Sequence, residues 1–349
     1  MKGKFFRSSL LLFAFFSQIF HSPFIASSAY ETNSYTLLGK LSWSPDGGQI
    51  AFEYYTQLDE SSIWVINTDG SGPKNLTPNQ DHAISPKWSP NGQFIAFSDG
   101  SDLWVMNADG SNQNKLTSGF QYVDTFFQWS PNSKFILFTG YLQDGETKLG
   151  TISLVKPDGS DLRRLTPKKP TQMDYLPSWS PDSQQIIFTD FDNDSKLFEI
   201  RIQDINSEDS ELFISGLSFA ATWSPNPDLV AALSLEECTN GFDVITISIS
   251  TLQILNLTSN ECTALLSLPQ WSPNGQFLIY EFEDNDDISK FGVFDLSKGD
   301  LVYETQGLDP AWSPDNQQIA FNAFDNGRSS IWIIDLNTLT IENITKDLE

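Results

Sequence analysis

Histidine is nearly absent from this sequence: His21 and His82 are the only two in 349 residues. His21 sits in an apolar leader expected to be removed, which leaves His82 as the one imidazole of the mature chain. A zinc or iron site needing two histidine ligands is therefore excluded. A Ser–His–acid triad would have to be assembled on His82, and a lone surface imidazole is read as bland before it is read as catalytic. Carboxylates are abundant instead, with 45 Asp and Glu against 20 Lys and Arg. Paired carboxylates can carry out acid–base chemistry without any histidine. Asp190, Asp192 and Asp194 alternate along the chain, and oxygen ligands at every second position can converge on calcium. The glycine and distal bidentate glutamate of an EF-hand are missing. A solvated acidic loop is thus the preferred reading, and calcium is the one cofactor the pattern admits.

Cys238 and Cys262 are the only cysteines. They fall on connections expected at the same end of neighbouring repeats, and in an oxidising compartment they are expected to form a disulfide. Arg163-Arg164 with Lys168-Lys169 is the one basic cluster. It reads as a counter-charge to the acidic loops, with a patch for an acidic partner as the alternative.

Lys2, Lys4 and Arg7 precede an apolar run from Leu10 to Phe16, and Ala26-Ser27-Ser28-Ala29 offers a small-residue cleavage site. Residues 1–29 are expected to be a secretory signal peptide, followed by one domain over 30–349. The apolar run is too short to span a bilayer, which leaves an uncleaved anchor as the lesser alternative. Without the three leader cations the chain carries 17 basic and 45 acidic residues, a balance of −28. That charge argues against nucleic acid and against docking on an anionic membrane. It favours solubility and cationic partners.

The elements that must position these groups come from a repeat. Trp-Ser-Pro opens at Trp43, Trp88, Trp129, Trp179, Trp223, Trp271 and Trp312, at intervals of 45, 41, 50, 44, 48 and 41 residues. Seven positions after each Trp stands an aliphatic residue, and nine positions after it an aromatic in six of the seven copies. A period of this size with four short Val/Ile/Phe/Trp-rich runs per copy predicts four-stranded antiparallel blades, A to D, of a β-propeller. Seven blades are expected, with six or eight as alternatives. Blade 7 carries its own fourth strand, so it is expected to close on blade 1 by face packing, without a strand exchange. The seven Trp side chains are read as wedges between blades, and Trp64, Trp104 and Trp332 as core. Blade 5 departs most, with Asn226-Pro227 in its first turn and Ala232 where the aromatic should stand.

Strand parity sorts the loops. A–B and C–D turns share one end of a blade; B–C and D–A connections share the other, where Asp59-Glu60, Asp190–Asp194, Glu281–Asp287 and Asp325-Asn326 are expected. Asp124 and Asp174, each five residues before its Trp, are expected with His82 at that same end. Together they suggest a negatively charged funnel that recruits a basic partner or a divalent ion.

The runs Trp-Ser-Pro-Asp-Gly-Gly-Gln-Ile-Ala-Phe (43–52), Ile-Trp-Val-Ile-Asn-Thr-Asp-Gly (63–70) and Asn-Leu-Thr (75–77) resemble the WD40-like PD40 repeat. That repeat builds TolB-like propellers and the propellers of prolyl and dipeptidyl peptidases. The resemblance covers about 37–346 and implies a β-propeller of the cell envelope or the extracellular space, with a bias towards binding proteins. It does not extend to the α/β domain of TolB or to a hydrolase domain, and the sequence holds no Gly-x-Ser-x-Gly elbow. No site residue transfers.

The reading is an exported, periplasmic or extracellular, monomeric propeller that binds a protein or cell-envelope component, with a basic one favoured, through its acidic loop face. Nucleic acid and stable membrane insertion are not expected. The balance weighs against an enzyme. The rival is a carboxylate-based or metal-assisted polysaccharide lyase or hydrolase, and a purely scaffolding ring is a third possibility.

Overall fold

The serine of each Trp-Ser-Pro closes the first hairpin of its blade. In the computed structural model, Ser44 Oγ donates to Asp46 Oδ1 at 2.6 Å and accepts the Gln49 N–H at 2.9 Å. Ser89, Ser130, Ser180, Ser272 and Ser313 repeat this clasp. Four residues after the Trp the backbone turns left-handed. Gly47, Gly92 and Gly275 supply φ of 75°, 71° and 70°, but Ser133, Ser183 and Asn316 hold 58°, 62° and 63° at the same place. The turn is therefore dictated by the clasp and not by glycine alone. In blade 5, Ser224 accepts the Asn226 N–H instead, at 3.0 Å.

The structure describes residues 37–348 apart from 58–59, 145–146, 167–171, 193–196, 217, 237, 239–240, 259–263, 266, 285, 287 and 326–327. Every regular element among the described residues is a strand, and the fold is a seven-bladed β-propeller of four-stranded antiparallel blades. The chain divides into two compact units. One spans Ser34–Pro170 with Gly307–Glu349 and holds blades 7, 1, 2 and 3. Their strands are Leu308–Trp312, Gln318–Asp325, Arg328–Asp335 and Ile341–Asn343 (blade 7); Leu37–Trp43, Gln49–Gln57, Glu60–Asn67 and Lys74–Asn75 (blade 1); and Ile84–Trp88, Phe94–Ser98, Leu103–Asn107 and Asn114–Lys115 (blade 2). In blade 3 strand A is split into Tyr122–Val123 and Gln128–Trp129, both paired to Ile136–Asp144, with Thr147–Val155 and Arg163–Arg164 following.

The other unit, within Thr171–Gln306, holds blades 4 to 6. Blade 4 comprises Gln172–Trp179, Gln185–Asp192, Leu197–Asp204 and Ser210–Gly216, and blade 5 Ser218–Trp223, Leu229–Ser234, Asp243–Ser248 and Ile254–Asn256. Blade 6 again has a split strand A, Ala264–Leu265 and Gln270–Trp271, against Phe277–Glu283, Ser289–Asp295 and Asp300–Gln306.

Strand D is two or three residues long in blades 1, 2, 3, 5 and 7, and there it is held by one threonine. Thr77 Oγ1 accepts the Ile63 N–H at 2.9 Å, and Thr117, Thr166, Thr258 and Thr345 do the same for strand C of their blades. Within its unit, blade 7 lies against blade 1 with no exchanged strand. Leu41, Trp43, Ile50 and Phe52 share one apolar cluster with Ala320, Ile331, Ile333 and Ile344. The Trp43 indole N–H donates to the Ala311 carbonyl at 3.0 Å.

That indole bond recurs. Trp129 Nε1 donates to Lys87 O at 2.9 Å, and Trp271 Nε1 to Thr222 O at 3.0 Å. Each links a blade to the residue just before the preceding blade's Trp. Two blades break the rule: the Trp88 Nε1 of blade 2 makes no hydrogen bond among the described residues, and in blade 5 Trp223 Nε1 is turned to its own Pro227 O at 3.1 Å. Trp43, Trp129, Trp179, Trp223 and Trp312 are buried, whereas Trp88 and Trp271 are partly so. Trp64, Trp104 and Trp332 correct the core reading: each is half-buried, and Trp64 and Trp104 spend their N–H on Ser62 and Asp99.

Candidate functional site

Strand A is the edge strand of every blade and does not run straight. Its register with strand B slips three residues before the Trp in blades 2, 4, 5 and 7, where Ser85, Leu176, Ala220 and Asp309 hold φ of 56°, 53°, 59° and 52°. A left-handed residue in a bulge swings its N–H out of the ladder, and leucine there carries a conformational cost of about 1–2 kcal/mol. At two of these bulges, those of Ser85 and Ala220, the preceding blade meets the freed N–H with the side chain ten residues after its own Trp. Glu53 Oε1 accepts the Ser85 N–H at 2.6 Å, and Thr189 Oγ1 the Ala220 N–H at 2.8 Å. Asn322 Nδ2 donates to Gly39 O of blade 1 at 3.1 Å. This tenth position is polar in six of the seven blades and buried in all of them: Glu53, Ser98, Thr139, Thr189, Leu233, Glu281 and Asn322. The sequence signal is a polar residue directly after the aromatic at nine, and it was not read as a site.

In the unit of blades 7, 1, 2 and 3, these strands gather a charged group. The Glu53 carboxylate also accepts the Tyr55 hydroxyl at 3.0 Å and the Lys40 N–H at 3.2 Å. Burial pushes its carboxyl above the usual range. Lys40 Nζ pairs with Asp309, to which Asn322 Nδ2 is also directed at 3.5 Å. Lys87 stands nearby; burial pulls its ammonium below the ordinary lysine value, and the like charge of Lys40 adds to this.

Asp124 stands at the break in strand A of blade 3 and is buried. Its carboxylate accepts the Phe126 N–H at 3.1 Å and the Tyr141 hydroxyl, yet burial raises its pKa to about 7. The Tyr122 and Tyr141 rings stack beside it, centroids 4.4 Å apart. His82, on the connection from blade 1 to blade 2, is exposed and meets neither a nucleophile nor an acid among the described residues.

In the unit of blades 4 to 6, Asp174 and Asp190 are cross-strand partners, and Glu199 faces Asp190 on the next strand. Asp174 is 4% and Asp190 1% exposed. The acidic run therefore needs correction: Asp190 and Asp192 belong to strand B, not to a loop, and Asp190 faces the interior. Glu281 likewise is buried in strand B of blade 6. Asp174 and Asp124 are also buried. Tyr175, between Asp174 and the left-handed Leu176, has its hydroxyl pKa driven well up by burial, then by Asp190 and Asp174. Asp194, Cys262, Lys168 and Lys169 lie outside the described residues, as do Asp59 and Asp287. Among the described residues, no three His, Cys, Asp or Glu side chains converge as a metal site. Arg163 Nε pairs with Asp161, two residues before it, at 3.3 Å.

Blades pinned by indoles, with buried polar side chains clasping bulged edge strands, define a β-propeller of Trp-Ser-Pro repeats. The chain belongs to the PD40 family, the TolB beta propeller domain, which matches residues 30–234. It is 26% identical over 335 residues to dipeptidyl-peptidase 5 of Porphyromonas gingivalis, covering 88% of this chain and 48% of that protein. The chain thus spans about half the length of this curated relative. Its fold is similar to that of the TolB described as putative from Agrobacterium tumefaciens, with TM-score 0.56, 18% identity, and 74% and 95% of the two chains covered. It is also similar to a puromycin-hydrolyzing peptidase of Mycobacterium tuberculosis, with TM-score 0.69, 14% identity, and 93% and 55% covered.

Proposed function

We propose that this chain is an exported, non-enzymatic propeller that binds a basic protein or envelope component through the end of its blades formed by B–C and D–A connections. The observation that carries this reading is how its buried acids are used. Glu53 holds Ser85, Asp124 holds Phe126, and Asp243 accepts from Thr258 at 2.8 Å and Asn256 at 3.0 Å. Glu53 and Asp243 thus join strands and Asp124 closes a turn within its own strand A, so these carboxylates hold backbone and side chains in place and are not free for acid–base work. The balance of −28 after the leader supplies long-range attraction for a cationic partner. A photo-crosslinker at His82 should capture an envelope protein, while one at Asp69, on a C–D turn, should not. Equal capture at both positions, or at neither, would sink the reading.

Two of the relatives named above are peptidases, and the chain covers only 48% and 55% of their length. This supports a second reading, a propeller that serves a hydrolase. Capture of a hydrolase by the chain, with dipeptidyl hydrolysis by that enzyme changing when the chain is added, would establish it over the first.

The export proposal predicts mature protein beginning at Tyr30, read by N-terminal sequencing. Cys238 follows strand B of blade 5, and we infer that it is bonded to Cys262. Two alkylatable thiols in exported protein would refute the pairing.

A further inference from the structure

Strand D of blade 4, Ser210–Gly216, is an open edge guarded only by a bulge. It pairs with strand C of its blade and, among the described residues, with no strand on its other side. An unpaired edge invites another strand, and folds blunt it by shortness, lysine or proline. Blades 1, 2 and 3 comply, with two-residue strands D that carry Lys74, Lys115 or Arg163-Arg164. Blade 4 has seven residues, Ser-Glu-Leu-Phe-Ile-Ser-Gly, without Lys, Arg or Pro. Leu212 is 52% exposed, and Phe213 and Ile214 are half-buried. Blade 6 has the other seven-residue strand D, but there Lys290 neutralises Glu304 in place at 3.0 Å.

Charge decides what would cover this edge. Asp204, Glu208, Asp209 and Glu211 are exposed where the chain enters the strand, and none pairs with a cation among the described residues. Arg201 on strand C is committed to Glu199 at 2.6 Å and to Ser210. A second copy is the poorer occupant, because it would bring the same acids and the same balance of −28 to the junction. The bulge at Phe213, between the Ile200–Ile214 and Arg201–Leu212 pairs, also twists the edge. A single extended segment can follow that twist more readily than a second bulged sheet. We propose that strand D of blade 4 receives an extended segment of a partner protein as a fifth strand, with Lys or Arg passing residues 208–211 and β-branched residues beside 212–214. This edge is separate from the loop end invoked above, and neither reading depends on the other.

The probe is acetyl-Thr-Val-Thr-Val-Lys-Arg-Lys-amide, titrated into the full chain by calorimetry at low salt. It should bind, and the peptide with Glu in place of each Lys and Arg should not. Replacing its second Thr and second Val by Pro keeps every charge and removes a ladder donor whatever the register. That peptide should bind at least tenfold more weakly. Glu208→Lys combined with Asp209→Lys and Glu211→Lys, all at exposed positions, should weaken binding of the original peptide as much. Hydrogen exchange on the wild-type chain locates the site without any variant: amides within 210–216 should slow at least threefold when the peptide is bound. No binding, equal binding of the proline peptide, undiminished binding by the charge-reversed chain, or equal slowing within 300–306 would each overturn the proposal. So would a dimer of the free chain that Leu212→Lys dissolves.

Discussion

Glu53 of blade 1 accepts the backbone N–H of Ser85 of blade 2 at 2.6 Å, so a side chain of one blade completes the backbone of the next. The bond is buried, and Ser85 is left-handed because the bulge aims its N–H across the gap. Glu53→Leu strands that N–H and should cost about 1–3 kcal/mol. Glu53→Gln keeps an acceptor and relieves the buried charge, so it should cost clearly less. Urea unfolding of the pair checks this, and equal losses would show that the bond contributes nothing.

Asp124 should make stability fall as pH rises. Its folded pKa of about 7 lies above the usual 3.8, so between those values the folded chain holds a proton that the unfolded chain has released. Stability from this group is full below about pH 4 and is lost on passing pH 7, by up to about 4 kcal/mol. Asp124→Asn should remove that slope. Melting or urea curves of both proteins at pH 4.5 and 7.5 would show the difference shrinking or not.

Trp129 is buried between blades 2 and 3 and donates to Lys87 O. Trp129→Ala should cost about 3–5 kcal/mol through the cavity it leaves. Trp129→Phe keeps most of the apolar surface and loses the bond, about 1 kcal/mol. Trp332→Ala, at a half-buried site, should be the mildest of the three by calorimetric Tm.

Thr77 holds strand D of blade 1 through one bond to the Ile63 N–H. Thr77→Val should cost about 1–3 kcal/mol, since a buried donor is left unpaired. Thr77→Ser should be close to wild type. Hydrogen exchange at Ile63 is the local readout, and unchanged protection in the valine variant would contradict the assignment.

Blade count, strand order and the wedge role of the indoles were legible because each blade repeats the same local chemistry. A serine that clasps its own turn needs no distant partner, and seven copies make the pattern hard to miss. Asp190 and Glu281 were misplaced for the opposite reason. Both follow an apolar run and precede acidic residues, so composition alone put them in loops, whereas their strands continue past the point where hydrophobicity ends.

By itself, then, the sequence determined the period, the turn chemistry and the antiparallel blade, all of which arise from contacts a few residues apart. Only the tertiary structure decided that Glu53 and Thr189, each the tenth residue after its Trp, hydrogen-bond a bulge in the next blade. It alone revealed that Asp124 is enclosed. Those properties depend on desolvation and on partners tens of residues away, and a residue's type carries no record of either.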